Sequence, residues 1–318
     1  MKCAHKIVKH QINAKGANCM KKILSSGNTP YNYSHWDPDN ITKVFAGNGA
    51  VMAITRQGYV EQCVADSRNA IYNRDWESIV DISDISISKY WPGLTIGLTS
   101  TGACVVAKQP FRYIADYYHT NFNSFFSYVN DQKNDWHDLV QVVASDAFFS
   151  LDRRGNTDYI AFDAFHREEY RGVLKWRNIA RIKAGLQDSI FGITYDGKVL
   201  ADGANCVKGL NKYLKDFDDV VDLTTTGSEC ETVILLHRDG SLSDLKEHQI
   251  AMDAKFQSLD SYFDYTVIGL TTDNKLLNIV GNRTGTLVFS ERVSSFAMDS
   301  NGYIIALACD EQPLSNKT

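Results

Sequence analysis

The chain has 318 residues, 44 % apolar and 22 % charged, ordinary globular proportions that exclude a disordered chain, a collagen repeat and a disulfide-stapled miniprotein. Its apolar runs fall far short of the roughly 20 residues that span a bilayer, and a net charge of −5 leaves no basic surplus for general binding to nucleic-acid phosphates. Seven cysteines, Cys3, Cys19, Cys63, Cys104, Cys206, Cys230 and Cys309, form no C-x-x-C pair, so reduced thiols are expected rather than a disulfide framework or a zinc ribbon.

Residues 1–36 hold Lys2, Lys6, Lys9, Lys15, Lys21 and Lys22 and no acid, which leaves −11 on the remainder of the chain. A basic arm on an acidic body is either solvated, paired with the body's own acids, or drawn to an acidic partner or lipid surface. The opening MKCAHKIVKH has no apolar stretch of secretory-signal length, and a cytoplasmic location is expected. Within the arm, residues 4–10 alternate like a short strand.

From residue 41 onward one pattern recurs, read most clearly in 175–205: Trp176, alternating Ile179 and Ile182, then Ile190-Phe191-Gly192-Ile193-Thr194, a Tyr195-Asp196-Gly197 turn, and Val199-Leu200. Alternation broken by an Asp-Gly pair predicts strand, strand, tight hairpin, strand. A weak copy runs over Ile41 to Gly58, and good copies follow at Asp75 to Val106, Asp135 to Gly155 and Asp216 to Gly240. Lys255 to Asn274 continues the series with Asn where Gly usually supplies a positive φ, and Phe296 to Ile305 ends it weakly. The turns fall at 58, 102, 155, 197, 240, 274 and 302, spaced 44, 53, 42, 43, 34 and 28 residues apart.

A unit of three or four strands cannot bury both faces alone, and radial stacking solves that problem. The spacing therefore predicts an all-β, seven-bladed β-propeller in a single domain over 1–318, with six blades as the alternative because the last spacings are short. Lys15-Gly16-Ala17-Asn18-Cys19 nearly repeats Asp202-Gly203-Ala204-Asn205-Cys206. This predicts that residues 4–10 pair with the blade formed by 291–310 and close the ring.

The order D-W-x-x-I-V-x-I, G-L-T-x-D-G-x-V and D-G-A-N over residues 36–310 resembles the repeat of the regulator of chromosome condensation family. The resemblance implies a seven-bladed propeller that binds proteins through face loops. That family includes exchange factors for small GTPases, a propeller that inhibits a β-lactamase, and bacterial effectors acting on host GTPases. The chain departs from the family where a His usually precedes the apolar-Gly-Leu strand; Leu94, Ser189, Thr232 and Thr266 stand there instead, so blade packing is expected to differ.

Chemistry-bearing motifs are absent from the sequence: no G-x-x-x-x-G-K-[ST], no H-E-x-x-H and no G-x-S-x-G. Ala46-Gly47-Asn48-Gly49-Ala50 reads as a turn. The eight histidines (His5, His10, His35, His119, His137, His166, His237 and His248) lie apart and read as surface or hairpin residues. Asp37-Pro38-Asp39-Asn40 and Asp216-Phe217-Asp218-Asp219 lack the ligand spacing of a calcium loop. No cofactor, no metal and no catalytic residue is expected.

One segment exceeds background. Residues 107–134 hold Phe111, Tyr113, Tyr117, Tyr118, Phe122, Phe125, Phe126 and Tyr128, eight aromatics in 28 residues against 11 % overall. Surface loops carry function and aromatic anchors dominate binding hot spots, although such rings can also cover a blade edge. A second insertion, Ser83 to Pro92, offers Tyr90 and Trp91 beside the same blade, and 166–171 reads as a solvated loop. The expectation is a monomeric, non-enzymatic protein-binding module with Tyr90, Trp91 and the eight rings as anchors. The alternatives are nucleotide exchange on a small GTPase and inhibition of a foreign enzyme.

Overall fold

The computed structural model describes residues 19–26, 30–47, 50–64, 76–84, 94–108, 126–145, 147–161, 164–185, 189–203, 209–226, 232–245, 249–262, 266–280, 284–298 and 302–311. Among these residues the strands form seven three-stranded antiparallel sheets, the blades of a propeller. The N-terminal strand is β1 (Cys19–Ser25). Blade one holds β2 (Ile41–Gly47), β3 (Ala50–Thr55) and β4 (Val60–Val64), and blade two β5 (Ile79–Asp84), β6 (Leu94–Thr99) and β7 (Cys104–Lys108). Blade three holds β8 (Leu139–Ala144), β9 (Ala147–Asp152) and β10 (Thr157–Ala161), and blade four β11 (Ile179–Ala184), β12 (Ser189–Thr194) and β13 (Val199–Gly203). Blade five holds β14 (Val220–Thr226), β15 (Thr232–His237) and β16 (Leu242–Asp244), and blade six β17 (Phe256–Tyr262), β18 (Thr266–Thr271) and β19 (Leu276–Val280). Blade seven combines β20 (Arg292–Met298) and β21 (Ile304–Glu311) with β1 as its outer strand.

Period-2 alternation explains why the middle strands read as continuous apolar runs. Successive side chains point to opposite faces of a strand, and in a blade both faces are covered. Phe148 packs toward blade two with Ile96, Leu98 and Trp136, while its neighbour Phe149 packs toward blade four with Trp176, Ile179 and Ile190. One buried cluster of this kind lies at each junction between neighbouring blades, including the junction of blade seven with blade one, where Leu307 and Ile305 meet Ile41 and Val44. The first strands form the inner ring, each in contact with the next from β2 through β20, and β20 with β2.

Backbone requirements fix the hairpin residues. Gly58, Gly102, Gly155, Gly197, Gly240, Gly302 and Asn274 all have positive φ. At Gly197, with φ +83°, an added Cβ would sit 2.5 Å from the Asp218 carbonyl oxygen at the start of the next blade, so the turn needs both the conformation and the small size of glycine. Its carbonyl accepts the Val220 N–H at 3.0 Å, and the same bond joins Gly58 to Ile79, Gly102 to Leu139, Gly155 to Ile179, Gly240 to Phe256 and Asn274 to Val293. The glycine of the second strand has another role. An added Cβ on Gly192 would lie 2.7 Å from the Trp176 ring, which crosses the sheet there.

Strand β1 pairs antiparallel with β21 from Cys19↔Glu311 to Ser25↔Ile305. The expected closing segment, residues 4–10, lies outside the described residues, and the strand beside β21 is Cys19–Ser25. Of the DGAN likeness, Lys15 to Asn18 and Ala204 to Cys206 also lie outside the described residues. Part of the basic arm is thus built into the body: Lys22 pairs with Glu291 at 2.8 Å and Lys21 donates to the Ile41 carbonyl at 3.0 Å.

Two further expectations are corrected. Residues Ala164–Glu169 are helical and Tyr170 is fully buried against Phe149, with ring centroids 4.9 Å apart, so 166–171 is no simple solvated loop; its apolar ring covers the blade. Cys309 is disulfide-bonded rather than reduced, whereas Cys63 and Cys104 are free and buried. The outer edge of blade four is closed by a side chain: the Asn211 carboxamide accepts from the Ala201 N–H at 3.0 Å and donates to the Ala201 carbonyl at 2.8 Å. Among the described residues no helix is long and apolar enough to cross a membrane.

Candidate interaction surface

Each first strand carries a β-bulge near its start. Register slips between Ile41 and Lys43, Ile79 and Asp81, Leu139 and Gln141, Ile179 and Arg181, Val220 and Asp222, Phe256 and Ser258, and Val293 and Ser295. A bulge leaves one residue unpaired and re-aims its side chain. The skipped residues are Thr42, Val80, Val140, Ala180, Val221, Gln257 and Ser294, and all seven are exposed. They sit where the inner strands begin, next to the turn carbonyls, so they ring one face of the propeller. Val80, Val140 and Val221 are 47 %, 39 % and 36 % exposed, and with Ala180 they make an apolar arc across blades two to five. A cleft of about 380 Å³ adjoins this arc, lined by Thr42, Arg56, Gln57, Ser78 and Val80.

Below the ring, the next residues of the inner strands stitch blade to blade. The Lys43 ammonium pairs with Asp81, and the Gln141 amide donates to the Ile182 carbonyl at 2.7 Å and accepts the Ile182 N–H at 2.9 Å. Arg181 and Lys183 approach Asp222 at 3.4 and 3.5 Å, and the Leu259 N–H donates to the same carboxylate at 3.1 Å. Burial alone would raise the Asp222 carboxyl, but the two cations and the backbone donors outweigh it and hold the group below its ordinary value. Asp260 goes the other way: burial raises it, with Lys183 opposing. A belt of this kind fixes the inner strands, so the bulge residues above it are presented by a rigid frame.

The sequence-predicted anchors are placed unevenly. Tyr90, Trp91, Phe111, Tyr113, Tyr117, Tyr118, Phe122 and Phe125 lie outside the described residues. Phe126 and Tyr128 lie on a helical stretch, 126–132, and pack half-buried against the cluster of Ile96, Leu98, Cys104 and Trp136. Tyr128 also accepts from Arg167 at 3.3 Å. The two insertions leave one end of a single sheet, since Asp84 pairs with Thr95 and Leu94 with Lys108; that end is opposite the hairpin turn at Gly102. The bulge ring was missed in the sequence although its signal was present, as the second apolar residue of Ile79-Val80, Leu139-Val140, Ile179-Ala180 and Val220-Val221.

No family model matches the chain, and a search of curated proteins finds no match. Solved structures do resemble it. Prp20p from Saccharomyces cerevisiae, reported with its binding properties to Gsp1p and histones, aligns with TM-score 0.57 at 10 % identity over 94 % of this chain and 92 % of that one. Yeast RCC1 (Prp20) in a structure with Kap60 gives TM-score 0.56 at 10 % identity, over 95 % and 91 % of the two chains. Human WBSCR16 gives 0.56 at 10 % identity, over 84 % and 87 %. Seven three-stranded sheets and a likeness running along nearly the whole length make this chain, in fold, a divergent seven-bladed propeller of the regulator of chromosome condensation type.

Proposed function

We propose that the chain is a protein-interaction module whose partner docks on the face ringed by the bulge residues. The observation that supports this is the apolar arc of Val80, Val140, Ala180 and Val221, exposed on four consecutive blades. Apolar side chains presented together at one face are what a partner's surface can dehydrate, and a rigid frame reduces the ordering cost of binding. The test is affinity capture with the intact chain against a Val80→Asp, Val140→Asp, Val221→Asp triple variant. Loss of partner at unchanged melting temperature is expected, and undiminished capture would remove this face from consideration.

A second reading keeps the opposite face, with Tyr90, Trp91, Phe111, Tyr113, Tyr117, Tyr118, Phe122, Phe125, Phe126 and Tyr128 as anchors. It is favoured by the adjacency of Asp84, Leu94 and Lys108, from which both insertions leave. Replacing Tyr117, Tyr118, Phe125 and Phe126 by Ser abolishes capture on this reading and spares it on the first. A small GTPase is the partner class to try first, because the fold is shared with a protein reported to bind Gsp1p. An acceleration of labelled-GDP release across a GTPase panel would make the interaction one of nucleotide exchange; no acceleration leaves binding without exchange.

A further inference from the structure

Blade five departs from blades two and four at four positions around one face of its sheet. The site of Trp76 and Trp176 is Phe217; the site of Gly97 and Gly192 is Leu235; the last residue of the middle strand, Thr99 and Thr194, is His237; and the outer-strand site of Val105 and Leu200 is Ser243, a site that holds Glu61 and Asp158 in blades one and three. Residues 235 and 237 share a face, and Ser243 lies directly across from Leu235.

The polar substitutions meet one another. His237 Nδ1 lies 2.6 Å from Asp219 Oδ1, and its Nε2 lies 2.7 Å from Ser243 Oγ. The other blades use this position to tie down the hairpin: the Thr55, Thr99, Thr194 and Thr271 hydroxyls accept from the N–H four residues on. In blade five the corresponding Ser241 N–H is taken by Asp239 at 2.8 Å, so the turn does not need His237. Ser243 is buried yet lines a groove of about 390 Å³ together with Asp219, His237, Ser241 and Gln249. Gln249 bridges antiparallel to Ser243 through the backbone, so the two residues share one face of the sheet where they line the groove.

We infer that Asp219, His237 and Ser243 form a nucleophile relay, with Ser243 reactive toward acyl carbonyls of the ester class. The Ser243 Oγ forms a bond to the carbonyl carbon while its proton passes to His237 Nε2. The bond to the leaving alkoxide breaks as that proton is delivered to it, giving an alcohol and an acyl-serine. A water molecule then repeats the transfer through His237, releasing a carboxylic acid and restoring the hydroxyl. Asp219 is a positioning residue that holds the tautomer with Nε2 facing Ser243. The relay does not rest on the protein-binding reading above, although Asp219 lies two residues before Val221 of the bulge face.

The test is labelling of the full chain with a fluorophosphonate ester, read by peptide mass spectrometry, alongside hydrolysis of p-nitrophenyl acetate. Stoichiometric labelling at Ser243 is expected, absent in Ser243→Ala and reduced about a hundredfold in His237→Thr, as befits loss of a general base. The His237→Thr change restores the residue of the other blades, so folding should be kept, and the melting temperature checks it. Asp219→Asn should slow labelling, since the imidazole loses the carboxylate that holds its tautomer. An intact protein unlabelled at Ser243, or one labelled equally in His237→Thr, overturns the relay.

Discussion

At the residue scale, the buried carboxylate of Asp222, on the inner strand of blade five, is the most consequential single group outside the Asp219, His237 and Ser243 relay. It is fully buried, and its neighbours Arg181 and Lys183 reach it from another blade. Removing one partner of a buried ion pair leaves an uncompensated charge, so Asp222→Ala should cost about 3–5 kcal/mol, measurable by denaturant unfolding. The sign of the pH dependence follows from its depressed folded value. The stabilisation is complete above the unfolded carboxylate range and is lost as pH falls through the folded value, so the intact chain should lose more stability on acidification than the Ala variant. The thiols divide differently. Burial, reinforced by Glu61, raises the Cys63 thiol to about 12, and burial against the opposing pull of Lys133 raises Cys104 to about 11. Both should resist iodoacetamide at pH 8 in the native state, while Cys309 should become alkylatable only after reduction. Labelling of Cys309 without reductant would contradict its disulfide. The expectation of seven thiols failed because sequence spacing carries no information on which strands lie side by side.

At the element scale, most of the blade was legible. Asp-Gly pairs between alternating runs located the hairpins, and Asn274 takes positive φ at 67° where the repeat has glycine. The two-sided burial of middle strands was legible too, in runs such as Ile190-Phe191-Gly192-Ile193. What alternation cannot show is a bulge, because one unpaired residue leaves the surrounding pattern intact; Val80 and Val140 sit within apolar runs and are exposed. The hairpin geometry supports a paired test. Gly197→Ala must accommodate both the positive φ and a Cβ 2.5 Å from the Asp218 oxygen, whereas Gly285, at φ +80°, has nothing within 4 Å. The first substitution should therefore destabilise by clearly more than the second, whose cost is about 1 kcal/mol for the backbone conformation alone. Equal losses in thermal unfolding would mean that the turn relaxes away from the next blade.

At the scale of the whole molecule, the number of blades was legible, whereas β1 was not, because Ile23 and Leu24 in CMKKILS give too short an apolar signal. Residues 4–10, to which local alternation points, lie outside the described residues. Deleting residues 1–25 removes the outer strand of blade seven and should lower the melting temperature by about 5 °C or more; an unchanged value would show that β20 and β21 hold without it. The apolar arc proposed as a docking face was the least legible part, because it is assembled from single residues on four blades that no local pattern connects.

The pairing of β1 with β21 also carries a consequence in time. Strand β1 is synthesised about 280 residues ahead of its partner, Ile305 to Glu311. At the usual synthesis rate of about 5–20 residues per second, on the order of tens of seconds separate the two. Throughout that interval blades one to six can stack in order as they emerge, while CMKKILS waits with its backbone donors and acceptors unsatisfied. Its two lysines, charged on a strand otherwise open to any passing edge, are a safeguard for the nascent chain before they become ion-pair and hydrogen-bond partners in the finished one.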